Sequence, residues 1–248
     1  MKKRLPPLCL LIALSFAALA QSTTPNGWSY ETLRAGQGDY LSAQDGILTH
    51  NQLADAEGNI LVSTLRIGVP DYQLMSELSP AFQQAFSVMQ AGGKYRFTIP
   101  LADFKEAMRS NKPFDLPGDE VVWEMEVLKV LPPLPDAARV VAQTLKTKGT
   151  TAAFDHFQRI VKDGSAYLGE WEVNQIGYFF LNQDRLKEAI TVLQYNTKQH
   201  PASANAFDSL AEAYYKNGQL DEAKSCYQRS LKLNPQNENA RKMLSKLK

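Results

Sequence analysis

The sequence predicts an α+β domain, an antiparallel sheet crossed by one helix, followed by an all-α domain of helical repeats. Three observations carry this reading. Apolar and polar residues alternate along stretches between Gly27 and Val130, as in half-buried strands. Between Trp171 and Pro235, matching small residues and prolines recur every 34 residues. Between the two regions, Pro132-Pro133-Leu134-Pro135 fixes backbone φ, removes amide donors and punctuates the chain.

The chain begins with a targeting pattern. Lys2-Lys3-Arg4 is positive, Leu8 to Leu19 is apolar, and Ala18-Leu19-Ala20 is a small-x-small cleavage site before Gln21. The apolar run is shorter than the ~20 residues that span a bilayer. A signal peptide over 1–20, a mature start at Gln21 and no membrane span after cleavage are therefore expected. The expected location is secreted; that the compartment is a bacterial periplasm is implied only by the resemblance of the helical tail, described below, to that of secreted bacterial proteins. Cleavage leaves a single cysteine, Cys226, so no intramolecular disulfide can form. Its place beside Tyr227 on a helix suits a half-buried, inert thiol.

The sheet domain is expected over 27–131. Tyr95, Phe97 and Ile99 alternate with polar residues. Val121, Trp123, Met125 and Val127 share one strand face, with Glu124 and Glu126 on the other. The crossing helix opens at Ser79 as cap and Pro80 in the first turn. It buries Phe82, Ala85, Phe86 and Met89 and stops at Gly92-Gly93.

The helical domain is expected over 136–248. Gly177 and Ala211, Ala189 and Ala223, and Pro201 and Pro235 are each 34 residues apart. Small residues stand where antiparallel helices approach closely, and prolines close each unit. This is the period of tetratricopeptide repeats. Val140, Val141, Ala153, Phe157 and Ile160 suggest a degenerate earlier repeat, with Ala153 preceding Ala189 by 36 residues. Ala240, Met243, Leu244 and Leu247 form the apolar face of a last, capping helix.

In the first domain, YETLRAGQGD (30–39), HNQLADAEGNILVST (50–64), FSVMQAGGKYRFTIP (86–100) and LPGDEVVWEMEVLKV (116–130) stand in a familiar order and spacing. Together they resemble an FKBP-type peptidyl-prolyl isomerase domain over nearly all of 27–131. Met89, Gly92, Lys94, Phe97, Ile99 and Pro100 are the most specific part. An isomerase domain followed by tetratricopeptide repeats is similar to the order in larger immunophilins.

The resemblance implies a dry aromatic pocket that favours the twisted X–Pro amide, against a barrier of ~18–20 kcal/mol. Its floor falls on Phe82 and a wall on Trp123, within a substrate pocket of Leu61, Phe82, Phe97, Phe104 and Trp123. The sequence alone leaves open whether Phe82 and Trp123 line a pocket or pack as core. The family's polar contacts are replaced. Its Tyr after the His falls on Asn51, its Phe-Asp pair on Leu61 and Val62, and its loop Tyr near Phe104 or Lys105. No catalytic residue is assigned.

By tetratricopeptide spacing, a partner-binding groove carries Trp171, Asn174, Tyr178, Asn182, Asn205, Asp208, Glu212 and Tyr215. Aromatics and amides suit peptide contacts, or the same residues form a solvated face. Asp208 and Glu212 would repel a chain-terminal carboxylate. With 27 basic and 26 acidic residues, the charge balance gives no case for nucleic acid. His50, His156 and His200 lack ligand spacing, so neither metal nor cofactor is expected.

Two functions remain. One is a peptidyl-prolyl cis-trans isomerase or folding helper with a protein-binding tail, acting on proteins or peptides, proline-containing clients among them. The other is a non-catalytic adaptor whose isomerase-like fold has lost its chemistry.

Overall fold

The computed structural model describes residues 21–108 and 116–247. The charged start, apolar run and cleavage site expected in 1–20 lie outside the described residues.

The N-terminal half holds strands β1 (Ser22–Thr23), β2 (Ser29–Arg34), β3 (Gln37–Tyr40), β4 (Gly46–Asp55) and β5 (Ile60–Ser63), then helix α1 (Thr64–Ile67) and strand β6 (Asp71–Leu74). Helix α2 (Pro80–Phe86), strands β7 (Gln90–Ala91) and β8 (Lys94–Pro100), helix α3 (Leu101–Ala107) and strand β9 (Glu120–Leu131) follow. Among the described residues, seven strands form one sheet in the order β1-β2-β8-β9-β4-β5, with β6 also on β4. β3 and β7 pair separately. Every pairing is antiparallel.

The alternation in β9 explains its place. Val121, Met125 and Val127 are buried against α2, while Glu124 and Glu126 face out. There Arg96 and Lys94 pair with Glu124, and Arg34 pairs with Glu126. Such exposed pairs fix register more than they stabilise, at ~0–1 kcal/mol each. Phe86, Phe97, Ile99 and Met125 are fully enclosed in the core between sheet and helix.

Helix α2 starts at Pro80 as expected but ends at Phe86, six residues before Gly92. Met89 is buried as predicted, yet it has left the helix, and its carbonyl accepts from Leu41 N. Tertiary pairing outweighed the helical spacing. Ser79 holds the N-cap position, but its hydroxyl makes no cap bond and is buried without a hydrogen-bond partner among the described residues.

The C-terminal half is helical: α4 (Ala137–Asp163), α5 (Glu170–Leu181), α6 (Leu186–Gln199), α7 (Ala204–Lys216), α8 (Leu220–Leu233) and α9 (Glu238–Lys246). α4 is two helices. Gly149, at φ 82° and ψ 178°, breaks it in a region open only to glycine. Thr144 Oγ1 lies 2.8 Å from His156 Nδ1. Twelve residues apart along a straight helix they would stand ~18 Å apart, so the chain doubles back at Gly149. The degenerate first repeat is thus a helical hairpin, stacked on α5–α6, α7–α8 and the capping α9. The small residues act as expected: Ala189, Ala211 and Ala223 are fully buried, and a Cβ on Gly177 would meet Leu193 Cδ2 at 2.5 Å.

The halves meet along a seam. Tyr72 stacks on Tyr167 with ring centroids 3.9 Å apart. The Tyr72 hydroxyl donates to Leu134 O at 2.7 Å and accepts from Leu134 N at 3.2 Å. Arg139 pairs with Glu77. Tyr167 N donates to Pro135 O, and Ala137 N donates to Tyr167 O. The proline segment is held at Leu134 and Pro135 rather than swinging as a free tether. No helix among the described residues is long and apolar enough to cross a membrane.

Candidate functional site

The sequence-predicted pocket residues gather as an aromatic cluster. Phe82 on α2, Phe104 on α3 and Trp123 on β9 meet edge to face, with centroids 5.2–6.2 Å apart. Phe86 joins Trp123 to Phe97 on β8. The helix supplies its rings at positions 82 and 86, one turn apart, because that face looks onto the sheet. Leu61 does not join. It is exposed on the edge strand β5, outside the core.

Burial separates core from pocket here. Phe82, Phe97 and Phe104 are 4%, 0% and 2% exposed, so their faces are spent on one another. Trp28, which no periodic pattern in the sequence singles out, closes on Phe82 at 5.5 Å and donates its Nε1 hydrogen to Asp103 at 3.1 Å. Trp123 is partly buried, and its Nε1 has no hydrogen-bond partner among the described residues. A cleft of about 620 Å³ opens beside this cluster, lined by Trp28, Ser79, Pro80, Ala81, Asp103 and Glu106 among others.

The polar contacts differ from those the resemblance implies. Asn51 shares the inner face of β4 with Leu53, and these residues pair across with Met125 and Trp123. Asn51 Nδ2 donates to Asp71 Oδ2 at 3.4 Å, and Gln73 Nε2 donates to the same oxygen at 2.9 Å. Burial pushes the Asp71 carboxyl up, and these two donors partly offset it. Asp71 was not legible in the sequence, because its strand has four residues and its pairing with β4 is long-range.

Asp71 also lines a cleft of about 290 Å³ along the seam, with Glu77, Asp136, Arg139 and Trp171. Near it Glu172 is 2% exposed, with Oε1 lacking a hydrogen-bond partner among the described residues. Burial, reinforced by Asp136 and Asp71, pushes the Glu172 carboxyl up to about 8. Burial likewise holds the Tyr167 hydroxyl up at about 12.

The eight groove residues fall in different surroundings. Asn205 and Asp208 line an open groove of about 980 Å³ between the repeats and α1. Trp171 faces the seam cleft instead. Asn174 is buried, its Oδ1 without a hydrogen-bond partner among the described residues, while Asn182 and Tyr215 are exposed. Tyr178 donates to Glu212 at 2.8 Å, tying successive repeats, and burial raises its hydroxyl pKa. Asn237, missed in the sequence, caps α9 and donates to Asp208 at 3.0 Å. Burial pushes the Asp208 carboxyl up, against the donors Asn239 and Asn237. Cys226 is partly buried, and burial pushes its thiol up to about 11.

Residues 204–237, covering α7, α8 and the following turn, match the tetratricopeptide repeat family model. No curated protein matches the chain in sequence. Among solved structures the chain is similar to FkpA from Escherichia coli, at 21% identity and TM-score 0.39 over 46% of this chain and 52% of that one. The chain thus spans about half of FkpA. It is similar to a peptidyl-prolyl cis-trans isomerase from Pseudomonas syringae pv. tomato, at 21% identity and TM-score 0.38, over 44% and 80% of the two chains. A multi-domain immunophilin from Arabidopsis thaliana aligns at 13% identity and TM-score 0.39, over 86% and 97%.

Proposed function

We propose that this chain is a periplasmic folding helper, with an FKBP-like domain over 27–131 and a protein-binding repeat domain over 136–248. Its prolyl-isomerase activity is weak. The observation that carries the reading is the burial of Phe82, Phe97 and Phe104, which leaves little aromatic surface for an X–Pro segment. The polar contacts are also changed, with Asn51 turned to Asp71 and with Leu61 and Val62 at an exposed strand. Each missing contact costs ~1–3 kcal/mol of transition-state stabilisation, or ~10- to 100-fold in rate.

The test pairs two assays on the full mature chain: isomerisation of an X–Pro peptide, and suppression of aggregation of an unfolded client. Slow isomerisation with clear suppression supports the proposal. A rate typical of strong isomerases with no suppression refutes it. The same burial favours a second reading, a non-catalytic adaptor that holds one folded partner. It is separated by a chain inactive in both assays that still co-purifies stoichiometrically with one protein. Export is checked by mass spectrometry of the native protein: a start at Gln21 is expected, and an intact Met1 in soluble material refutes it.

A further inference from the structure

We propose that the groove between α1 and the N-terminal ends of α5, α7 and α9 cradles an extended polypeptide segment in which an aliphatic side chain stands close to a lysine or arginine. The claim rests on the folding-helper reading for the origin of the segment. The chemistry of the groove is read from its two walls.

One wall is apolar and exposed. Leu65 and Ile67 are each 51% exposed and line the groove. The preceding strand β5 also exposes Leu61 and Val62, on opposite faces and outside the groove lining. A run of four exposed aliphatic residues within seven positions departs from the scattered single exposures of an ordinary surface. The other wall is acidic. It carries Glu170, Asp208 and Glu238 from the first turns of α5, α7 and α9 or just beyond, all lining the same groove.

Neutral groups hold two of these carboxylates in place. Glu170 Oε1 accepts from Ser203 Oγ at 2.5 Å and from Asn205 Nδ2 at 3.3 Å. Asp208 accepts from Asn237 and from Asn239 at 3.0 and 2.8 Å. Among the described residues, no ion pair involves Glu170, Asp208 or Glu238. Arg66 and His200 are the basic groups that line the groove. Three carboxylates, two of them fixed by amides and hydroxyls and none ion-paired among the described residues, present a negative potential to whatever enters. The complementary occupant brings a cation to that wall and an aliphatic side chain to Leu65 and Ile67. At about 980 Å³ the groove is large enough for several residues in extended form, which suits an unfolded segment better than a folded surface.

The test is fluorescence anisotropy on the full mature chain, with labelled twelve-residue peptides of leucine and lysine spaced by glycine and serine. Matched peptides carry glutamate for lysine, or serine for leucine. The leucine–lysine peptide is expected to bind at least tenfold tighter than either, with affinity falling as salt rises. The double variant Leu65→Ser/Ile67→Ser weakens it at least tenfold, and Glu238→Lys several-fold. All these side chains are exposed, and circular dichroism checks that the variants fold. Equal binding of the lysine and glutamate peptides, or an unaffected double variant, overturns the proposal. So does sedimentation that shows self-association abolished by the double variant, since the apolar wall then belongs to a second copy. The anisotropy readout is independent of client rescue. Selective peptide binding without aggregation suppression leaves the cradle standing and sinks the folding-helper reading, and the reverse result sinks the cradle alone.

Discussion

Replacing Glu172 by Gln is expected to stabilise the protein at neutral and alkaline pH and to flatten its stability profile. The carboxyl keeps its proton up to pH about 8 in the folded chain, against an ordinary 4.5. A carboxyl pKa raised on folding favours the folded state below the ordinary value. That advantage is lost as pH climbs from about 4.5 toward 8, at ~1.4 kcal/mol for each pH unit. At pH 7 the loss is ~3 kcal/mol. Gln carries no charge at any of these pH values, so the loss disappears with it. Its amide hydrogens enter a site where Oε1 already lacks a partner, which gives back ~1 kcal/mol. The net gain of ~2 kcal/mol corresponds to a rise of ~4–8 °C in melting temperature at pH 7. At pH 4.5 the two proteins should melt within a degree or two of each other, Gln slightly lower. The assay is thermal melting by circular dichroism from pH 4.5 to 8.5. Parallel profiles would refute the reasoning, because they would mean that Glu172 titrates normally and that its burial is relieved in solution.

Other substitutions test the architecture. Gly149→Ala forces a side chain into a glycine-only conformation and should cost ~1–3 kcal/mol, read as a lower urea midpoint at unchanged slope. Ala223→Leu adds methylenes at a fully buried helix contact and should cost ~1–3 kcal/mol or more; a melting temperature within a degree of wild type would show that the repeats are not closely packed there. Tyr72→Phe removes the hydroxyl that both donates to and accepts from Leu134. A loss of ~1–2 kcal/mol is expected, and a melt that separates into two steps would show that this residue couples the halves. Cys226, with its thiol pushed up to about 11, should react with iodoacetamide at pH 7 far more slowly than a free thiol, and at a comparable rate once denatured.

Local periodicity was enough to read much of this chain. The alternation from Val121 to Val127 placed β9 with the correct face inward, because successive strand side chains must point to opposite sides. The spacing of 34 residues located the hairpins α5–α6 and α7–α8, and Ala153, Phe157 and Ile160 revealed the degenerate one. Phe82, Phe97 and Trp123 were legible as inward-facing aromatics, since each lies on the inner face of its own element, whereas Phe104 was reached only through the resemblance; all four pack into one core. Leu61 does not join them, because its assignment came from a resemblance and β5 turned out to be an exposed edge.

What tertiary structure alone decided are the meetings between faces. Period says that α2 has a buried side; it does not say that Trp28, 54 residues earlier, will close over Phe82. It gives no sign that Asp71 will meet Asn51, that Tyr72 will stack on Tyr167, or that Glu172 will be buried beside that seam. Met89 left its helix for a backbone partner at Leu41, which no helical wheel contains. Neighbours three or four residues apart fix which way a side chain points, so the sequence determined the elements and their inner faces. Which face is covered, which carboxyl loses its water and where a groove stays open depend on contacts tens of residues apart, and those exist only once each half has folded and, at the seam, once the two have packed.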